Sequence, residues 1–564
     1  MRPARSRTGF IVGLVLGLGA AALGAWIYNT WIRPGPLEEI AKRLPEDTLV
    51  LVSVRGIEDL YRDYQYEIAE ISEDLNHKQQ LESLTETLGL DPVSTEDLLG
   101  TGLGFDRTWG AAIVGDIESL DLSSVFLIPV DDESALSNYL EERLEAHEST
   151  VRTEEVQGID TVIVNENLAY AFDDDVLIIC LPLSLEDEHA NDETDRARAA
   201  TDCVSDRLVQ SPEDSLHQEP LFQTAMKQAD PDWNLLLYSP TDWWPELAAH
   251  HAVFPAPAQE HLVDLVERAP AFVSTMALEH EEVRVQLRAL TQSEYGHLFP
   301  VQGEDELADR IPGKAVALLR TSMHLHAAWS VLSEWAYLQD LHSSNVLLLE
   351  EAWGFDLEQD LIAHLSGHIT LLLLEPGESR KASAEASRDG EWVVYAPVED
   401  EDAVLETLET LIDTLRENDR DLEVESRSSK DGQYFILETE TQTCVGVDQK
   451  HVILAVGPER CEAVIDGIAE GGDSFLDDLP RAAEIGIEQG PSTYAFIHMD
   501  TLIYGLSLQD MPGMNLVLSF AEDLEILGWA DEESTVFELI AHPRGEDLSN
   551  GVGLLWQILL AEAE

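Results

Sequence analysis

Two stretches of this chain read alike: FLIPVDDESALSNYLEERL (126–144) and VYAPVEDEDAVLETLETLI (394–412). Each starts as an apolar run of strand character, passes through Pro-Val, gathers carboxylates, and continues with apolar residues at helical spacing. The helical positions are Leu136, Tyr139, Leu140 and Leu144 in the first, and Val404, Leu405, Leu408, Leu411, Ile412 and Leu415 in the second. The acids ahead of them, Asp131-Asp132-Glu133 and Glu399-Asp400-Glu401, suit a helix N-terminus, where a carboxylate accepts from free N–H groups and complements the helix dipole. That role explains them better than a catalytic pair would.

Outward from these stretches the order of elements occurs twice. Each half opens on a Pro-containing turn, an apolar run and a helix-like segment: LPEDTLVLVSVRGIEDLY (44–61) and IPGKAVALLRTSMHLHAAW (311–329). WGAAIVGD (109–116) corresponds to GHITLLLLEP (367–376). Downstream, TVIVNENLAYAFDDDVLIICLP (161–182) corresponds to YFILETETQTCVGVDQKHVILAVGP (434–458), with Asp173-Asp174-Asp175 at the turn that Asp448-Gln449-Lys450 takes in the second half. Asp favours turns, and the second half dispenses with two of the acids, so a turn outweighs a metal site. A short helix then leads into a strand in both halves: DSLHQEPLFQTAM (214–226) into WNLLLYSP (233–240), and DSFLDDLPRAAEI (473–485) into TYAFIHMD (493–500). Further strands close each half: 271–290 in the first, 534–543 and 551–560 in the second.

Imperfect alternation and short hairpin spacings predict an α+β class, two diverged copies of an α+β module with mainly antiparallel sheets and helices on one face. The expected copies span 44–300, with 184–213 as an acidic, partly helical insertion, and 301–564.

Ahead of the first copy, GFIVGLVLGLGAAALGAWIYNTWI (9–32) carries no charge and is long enough, as a helix, to cross a bilayer core. Arg2, Arg5 and Arg7 precede it within residues 1–8, which predicts a cytoplasmic N-terminus, a single-pass transmembrane helix, a linker over 33–43, and the bulk of the chain outside the cytoplasmic membrane. Ala20-Ala21-Ala22 offers a signal-cleavage alternative, against which the apolar run is long. Gly9, Gly13, Gly17, Ala21 and Ala25 recur at every fourth position, a small-residue stripe that permits two such helices to approach and self-associate.

Acidic residues number 110 against 33 basic ones, a net charge of −77, yet 44% of residues are hydrophobic and 12 are Trp. The apolar content argues for packed cores, while the charge excludes nucleic acid as a partner and repels anionic lipid. Cys180, Cys203, Cys444 and Cys461 form no C-x-x-C. Outside the cytoplasm they permit disulfides. Proximity favours Cys180–Cys203 and Cys444–Cys461, and four buried free thiols are the alternative.

The pattern resembles a bacterial membrane-anchored family known as domain of unknown function 3352. The resemblance rests on the opening Pro45-Glu46-Asp47-Thr48 with the apolar run Leu49-Val50-Leu51-Val52, and on Asp214, Ser215, Leu216, Phe222 and Ala225 ahead of a strand. The second opening, Ile311-Pro312-Gly313-Lys314, departs from it. The resemblance implies no activity, cofactor or catalytic residue.

Other candidate chemistry reads as structure. Gly100-Thr101-Gly102-Leu103-Gly104 follows a helix-like stretch and precedes a strand, the reverse of a dinucleotide fingerprint. His364 and His368 have zinc-like spacing, but Ser366-Gly367 and a β-rich run end any helix inside it. His324 with His326, and His250-His251, read as incidental. Trp233, Trp243 and Trp244 read as packing residues, with a ligand patch as the alternative. No calcium loop, G-x-S-x-G elbow or metal motif is present, so no cofactor is expected. The expected function is a non-enzymatic, membrane-anchored extracytoplasmic scaffold or binding protein. An extracytoplasmic hydrolase, or a carrier of an apolar ligand, are the alternatives.

Overall fold

A computed structural model of the chain describes residues 36–56, 100–117, 121–146, 148–166, 168–183, 193–209, 214–246, 269–278, 282–291, 307–322, 324–325, 329, 356–375, 391–418, 422–429, 432–438, 442–457, 460–470, 474–479, 491–499, 521–530 and 534–543. These fall into two compact units, one of described residues up to 224 and one from 225 onward.

The first unit contains α1 (Pro36–Ala41), β1 (Val50–Val54), β2 (Trp109–Asp116), β3 (Asp121–Pro129), α2 (Glu133–Ala146), β4 (Val151–Val156), β5 (Ile159–Val164), β6 (Leu168–Asp173), β7 (Val176–Leu183) and α3 (Glu193–Val209). Its strands pair antiparallel in the order β1–β2–β3–β7–β6–β5–β4. Asp132 caps α2 through Oδ1, which accepts from the Ala135 N–H at 3.0 Å. Leu136, Leu140 and Leu144 then bury one helical stripe with Ile128, Tyr170, Leu177 and Ile179. The glycine cluster ahead of β2 is a loop: Gly102, at φ +99°, accepts from the Asp131 and Asp132 N–H groups, and a Cβ there would lie 2.2 Å from the Asp132 carbonyl oxygen. The Asp173–Asp175 turn carries Asp174 at φ 53°, and Arg107 bonds Asp175 at 2.7 Å while Arg43 bonds Asp173 at 3.2 Å.

After α4 (Pro220–Gln228), the second unit contains β8 (Leu235–Pro240), β9 (Ala271–Leu278), β10 (Val283–Leu290), β11 (Ala315–Ser322), β12 (His368–Leu374), β13 (Glu391–Pro397), α5 (Glu401–Asn418), β14 (Glu423–Ser428), β15 (Gly432–Glu438), β16 (Thr443–Asp448), β17 (His451–Val456), α6 (Arg460–Glu470), β18 (Thr493–His498), β19 (Ala521–Ala530) and β20 (Ser534–Pro543). The order, again antiparallel throughout, is β8–β9–β10–β20–β19–β18–β11–β12–β13–β17–β16–β15–β14. The run β12–β13–β17–β16–β15–β14 has the pairing order of β2–β3–β7–β6–β5–β4. Asp400 caps α5 as Asp132 caps α2, accepting from the Ala403 N–H at 3.1 Å.

Each face of this second sheet has its own core. On one side α6 and the turn Phe475–Asp478 bury Leu318, Leu372, Tyr395, Tyr434, Tyr494 and Phe496. On the other, α5 covers only the β15–β17 end, through Val404, Leu408 and Ile412 against Phe435 and Val447. Beside the first core lies a buried ion pair. Arg460, 8% exposed, donates through Nε to Glu391, 3% exposed, at 2.8 Å, and through a terminal nitrogen to the Pro312 carbonyl at 2.8 Å. Gly313 and Gly457 make room: a Cβ on either would come within 2.8 Å of the pair's side chains.

The expected α+β class is corrected. The described residues are mainly antiparallel sheet, twenty strands against six α-helices. Three strands account for much of the difference. VRTEEV of β4 and EVESRS of β14 are polar and largely exposed, and AEDLEILGWA of β19 is acidic. Neither β4 nor β14 shows an apolar alternation, and in β19 it is limited to Leu524 and Ile526 beside Asp523 and Glu525. Each is a strand because its hairpin neighbour supplies a full ladder of hydrogen bonds, a backbone cause that a side-chain pattern does not carry. Among the described residues no helix is long and apolar enough to cross a membrane, and residues 9–32 lie outside the described residues.

Candidate functional site

Successive strand side chains point to opposite faces, so register decides which residues share a surface. In the second unit one row crosses nine strands: Met276, Val285, Leu539, Ile526, Ala495, Leu319, Leu371, Val394 and Leu454, each opposite the next. A parallel row runs Ser274, Leu287, Phe537, Gly528, Thr493, Thr321 and Ile369. Neither row holds an ionisable side chain. Several members face solvent: Phe537 is 49% exposed, Leu287 and Leu319 are 42%, and Leu454 and Leu539 are also exposed. Thr321 and Thr493 satisfy each other across the row at 3.0 Å. At one end Trp244 stacks on Phe272 with centroids 5.3 Å apart. Solvent-facing apolar side chains grouped in this way make the face a candidate interaction site.

The charges of these strands lie on the opposite face. Glu525, 2% exposed, is held from two sides: Tyr494 donates its hydroxyl to one oxygen at 2.9 Å and the His542 Nε2 bonds the other at 2.6 Å. Asp523, opposite His542 in register, bonds His498 Nδ1 at 2.7 Å. Arg284 bridges to Glu538 at 2.9 Å and also to Glu282. A buried carboxylate is tolerable only with such partners. Burial, then the Glu525 charge, pushes the Tyr494 phenol up and keeps it a donor. The hydrogen bond to Glu525, acting against desolvation, raises the His542 imidazole above 6.5. Desolvation, opposed by Arg284, raises the Glu538 carboxyl above 4.5.

Both shifts have one sign. Each group binds its proton more tightly in the folded chain, so its contribution is fully present below the ordinary value and is lost as pH rises through the raised one. The thermal midpoint is therefore expected to fall between about pH 5 and about pH 8, and His542→Gln to flatten that slope. Differential scanning calorimetry across the range measures it. An unchanged slope in the variant would remove the network from the account of pH dependence.

The expected site residues fall as follows. Cys180 on β7 is bonded to Cys203 on α3, with Cα atoms 6.1 Å apart. Cys444 on β16 and Cys461 on α6 are unbonded and buried. Gly9, Gly13, Gly17, Ala21 and Ala25 lie outside the described residues. His364 ends a short 3-10 turn and His368 begins β12, so they do not share a helical face. Among the described residues no group of three or more His, Cys, Asp or Glu is placed to hold a metal ion. Trp233 is buried, whereas Trp244 takes the end of the apolar face. That face was missed in the sequence. Its trace is the absence of charge at alternate positions of VRVQLRAL and TVFELIAH, visible only once the strands are in register.

No protein-family model matches the chain, and no curated protein matches it. Among solved structures it is similar to crystal form III of TP0453, at 10% identity over 44% of this chain and 79% of that one, with a TM-score of 0.24. Crystal form IV of TP0453 is similar at 11% identity over 46% and 81%, with a TM-score of 0.25.

Proposed function

We propose that this chain is a non-enzymatic extracytoplasmic binding or scaffold protein, held at the outer side of a bacterial cytoplasmic membrane. Its charge-free sheet face docks a protein partner with an apolar centre and a basic rim. The solvent-facing row through Leu287, Phe537, Leu539 and Leu319 is the observation that supports this most. The Cys180–Cys203 bond supports an oxidising compartment. Charge selects the occupant: at −77, a second copy of the chain or an anionic lipid surface is repelled around the face, whereas Lys and Arg on a partner's rim are attracted.

A photoreactive residue at Leu319 identifies the partner in cells. The double variant Leu287→Glu/Phe537→Glu is then expected to keep its near-UV circular dichroism and to lose at least about tenfold in affinity. Wild-type affinity is expected to fall as salt screens the rim. Unchanged affinity in the variant, or tighter binding at high salt, contradicts the proposal.

A further inference from the structure

We propose that Cys444 and Cys461 are a second disulfide site, closing the β16–β17 hairpin onto α6 as Cys180–Cys203 closes β7 onto α3. On the β6–β7 pair Cys180 stands opposite Ala169, and on the β16–β17 pair Cys444 stands opposite Ala455. These hairpins occupy the same place in the two pairing orders, and the turn residues Asp173 and Asp448 each end the earlier strand. Counted from those turns, Ala169 corresponds to Cys444 and Cys180 to Ala455. The cross-strand pair is thus Ala–Cys in one unit and Cys–Ala in the other, with the sulfur on the neighbouring strand.

The helical partner is also present. Cys461 lies in the first turn of α6, fully buried in the core that contains Cys444 and Ala455. Its thiol donates to the carbonyl oxygen of Ala455, the residue opposite Cys444 in register, at 3.7 Å. Both sulfur-bearing side chains therefore lie in one core against Ala455, Cys444 across the ladder from it and Cys461 at its carbonyl oxygen.

The neighbouring Cys444 and burial push the Cys461 thiol up, so in the folded chain it is a poor nucleophile. The bond therefore forms during oxidative folding, before the helix seals the core. One cysteine thiolate attacks an exogenous disulfide, a small-molecule or oxidoreductase disulfide, giving a mixed disulfide and releasing one thiol. The second cysteine thiolate displaces the other thiol. Two S–H groups of the chain become one S–S bond, and the exogenous disulfide is reduced to two thiols that take up the protons.

The full chain, refolded with reduced and oxidised glutathione, is denatured, alkylated without reductant and mapped by mass spectrometry. Cys444 and Cys461 are expected to resist alkylation and to be recovered as one linked peptide. In Cys461→Ser, Cys444 is expected to become fully alkylated while the Cys180–Cys203 peptide is retained. Alkylation of both Cys444 and Cys461 in the wild type overturns the proposal, whatever the state of Cys180 and Cys203. Recovery of either one linked to Cys180 or Cys203 overturns it equally.

Discussion

Replacing Arg460 by alanine is expected to destabilise the second unit by about 3–5 kcal/mol, the cost of leaving a buried carboxylate without its counter-ion. Glu391 has little water to fall back on, and the guanidinium also satisfies the Pro312 and Glu375 carbonyls. Three acceptors lose their donor at once. Gly313 and Gly457 leave space shaped for the guanidinium, so alanine opens a void that neighbouring backbone cannot collapse into readily. The double replacement Arg460→Met/Glu391→Leu is expected to recover much of the loss, because it removes the stranded charge along with its partner. Urea unfolding followed by tryptophan fluorescence measures both. A loss below about 1 kcal/mol for Arg460→Ala would mean that water reaches Glu391 and that the pair is not a buried one.

Removing the Cys180–Cys203 bond is expected to cost the first unit about 3 kcal/mol, the loop-closure contribution for residues 23 apart in sequence. The bridge is well placed for such an effect. It ties α3 to β7, and Cys180 itself is fully buried beside Ala169. Cys180→Ala/Cys203→Ala keeps the burial of small side chains and removes the cross-link, so its unfolding midpoint isolates the bridge. The first unit is expected to lose the same amount in the wild type on reduction, and to lose nothing further when the double variant is treated likewise. A variant as stable as the wild type would show that α3 docks through apolar contacts alone.

How far the fold could be read from residues depended on which contacts hold each element. The two capped helices were legible because cap, acid cluster and stripe are all local: Asp132 with Leu136, Leu140 and Leu144, and Asp400 with Val404, Leu408 and Ile412. The turn at Asp173–Asp175 was legible for the same reason. Strands β4, β14 and β19 were not, since their polar or acidic sequences are held by the backbone ladders of their hairpin neighbours and not by an apolar pattern of their own. That omission is why an α+β class was expected where the described residues are mainly antiparallel sheet.

The candidate site was less legible still. Leu287 and Phe537 lie 250 positions apart in sequence, yet they stand opposite each other on adjacent strands. Glu525, Tyr494, His542, Asp523 and His498 look like scattered surface residues in a chain with 110 acids. Only register turns them into a buried network on one face, and leaves the other face without a charge.

The most direct test of the docking face is hydroxyl-radical footprinting of Leu287, Leu319, Phe537 and Leu539, on the purified chain and in intact envelopes. The account predicts rapid oxidation of all four in the purified protein and strong protection in the envelope. Equal oxidation in both would mean that nothing docks there. Protection in both would mean that the face is already covered by the chain itself, and either result would contradict the account.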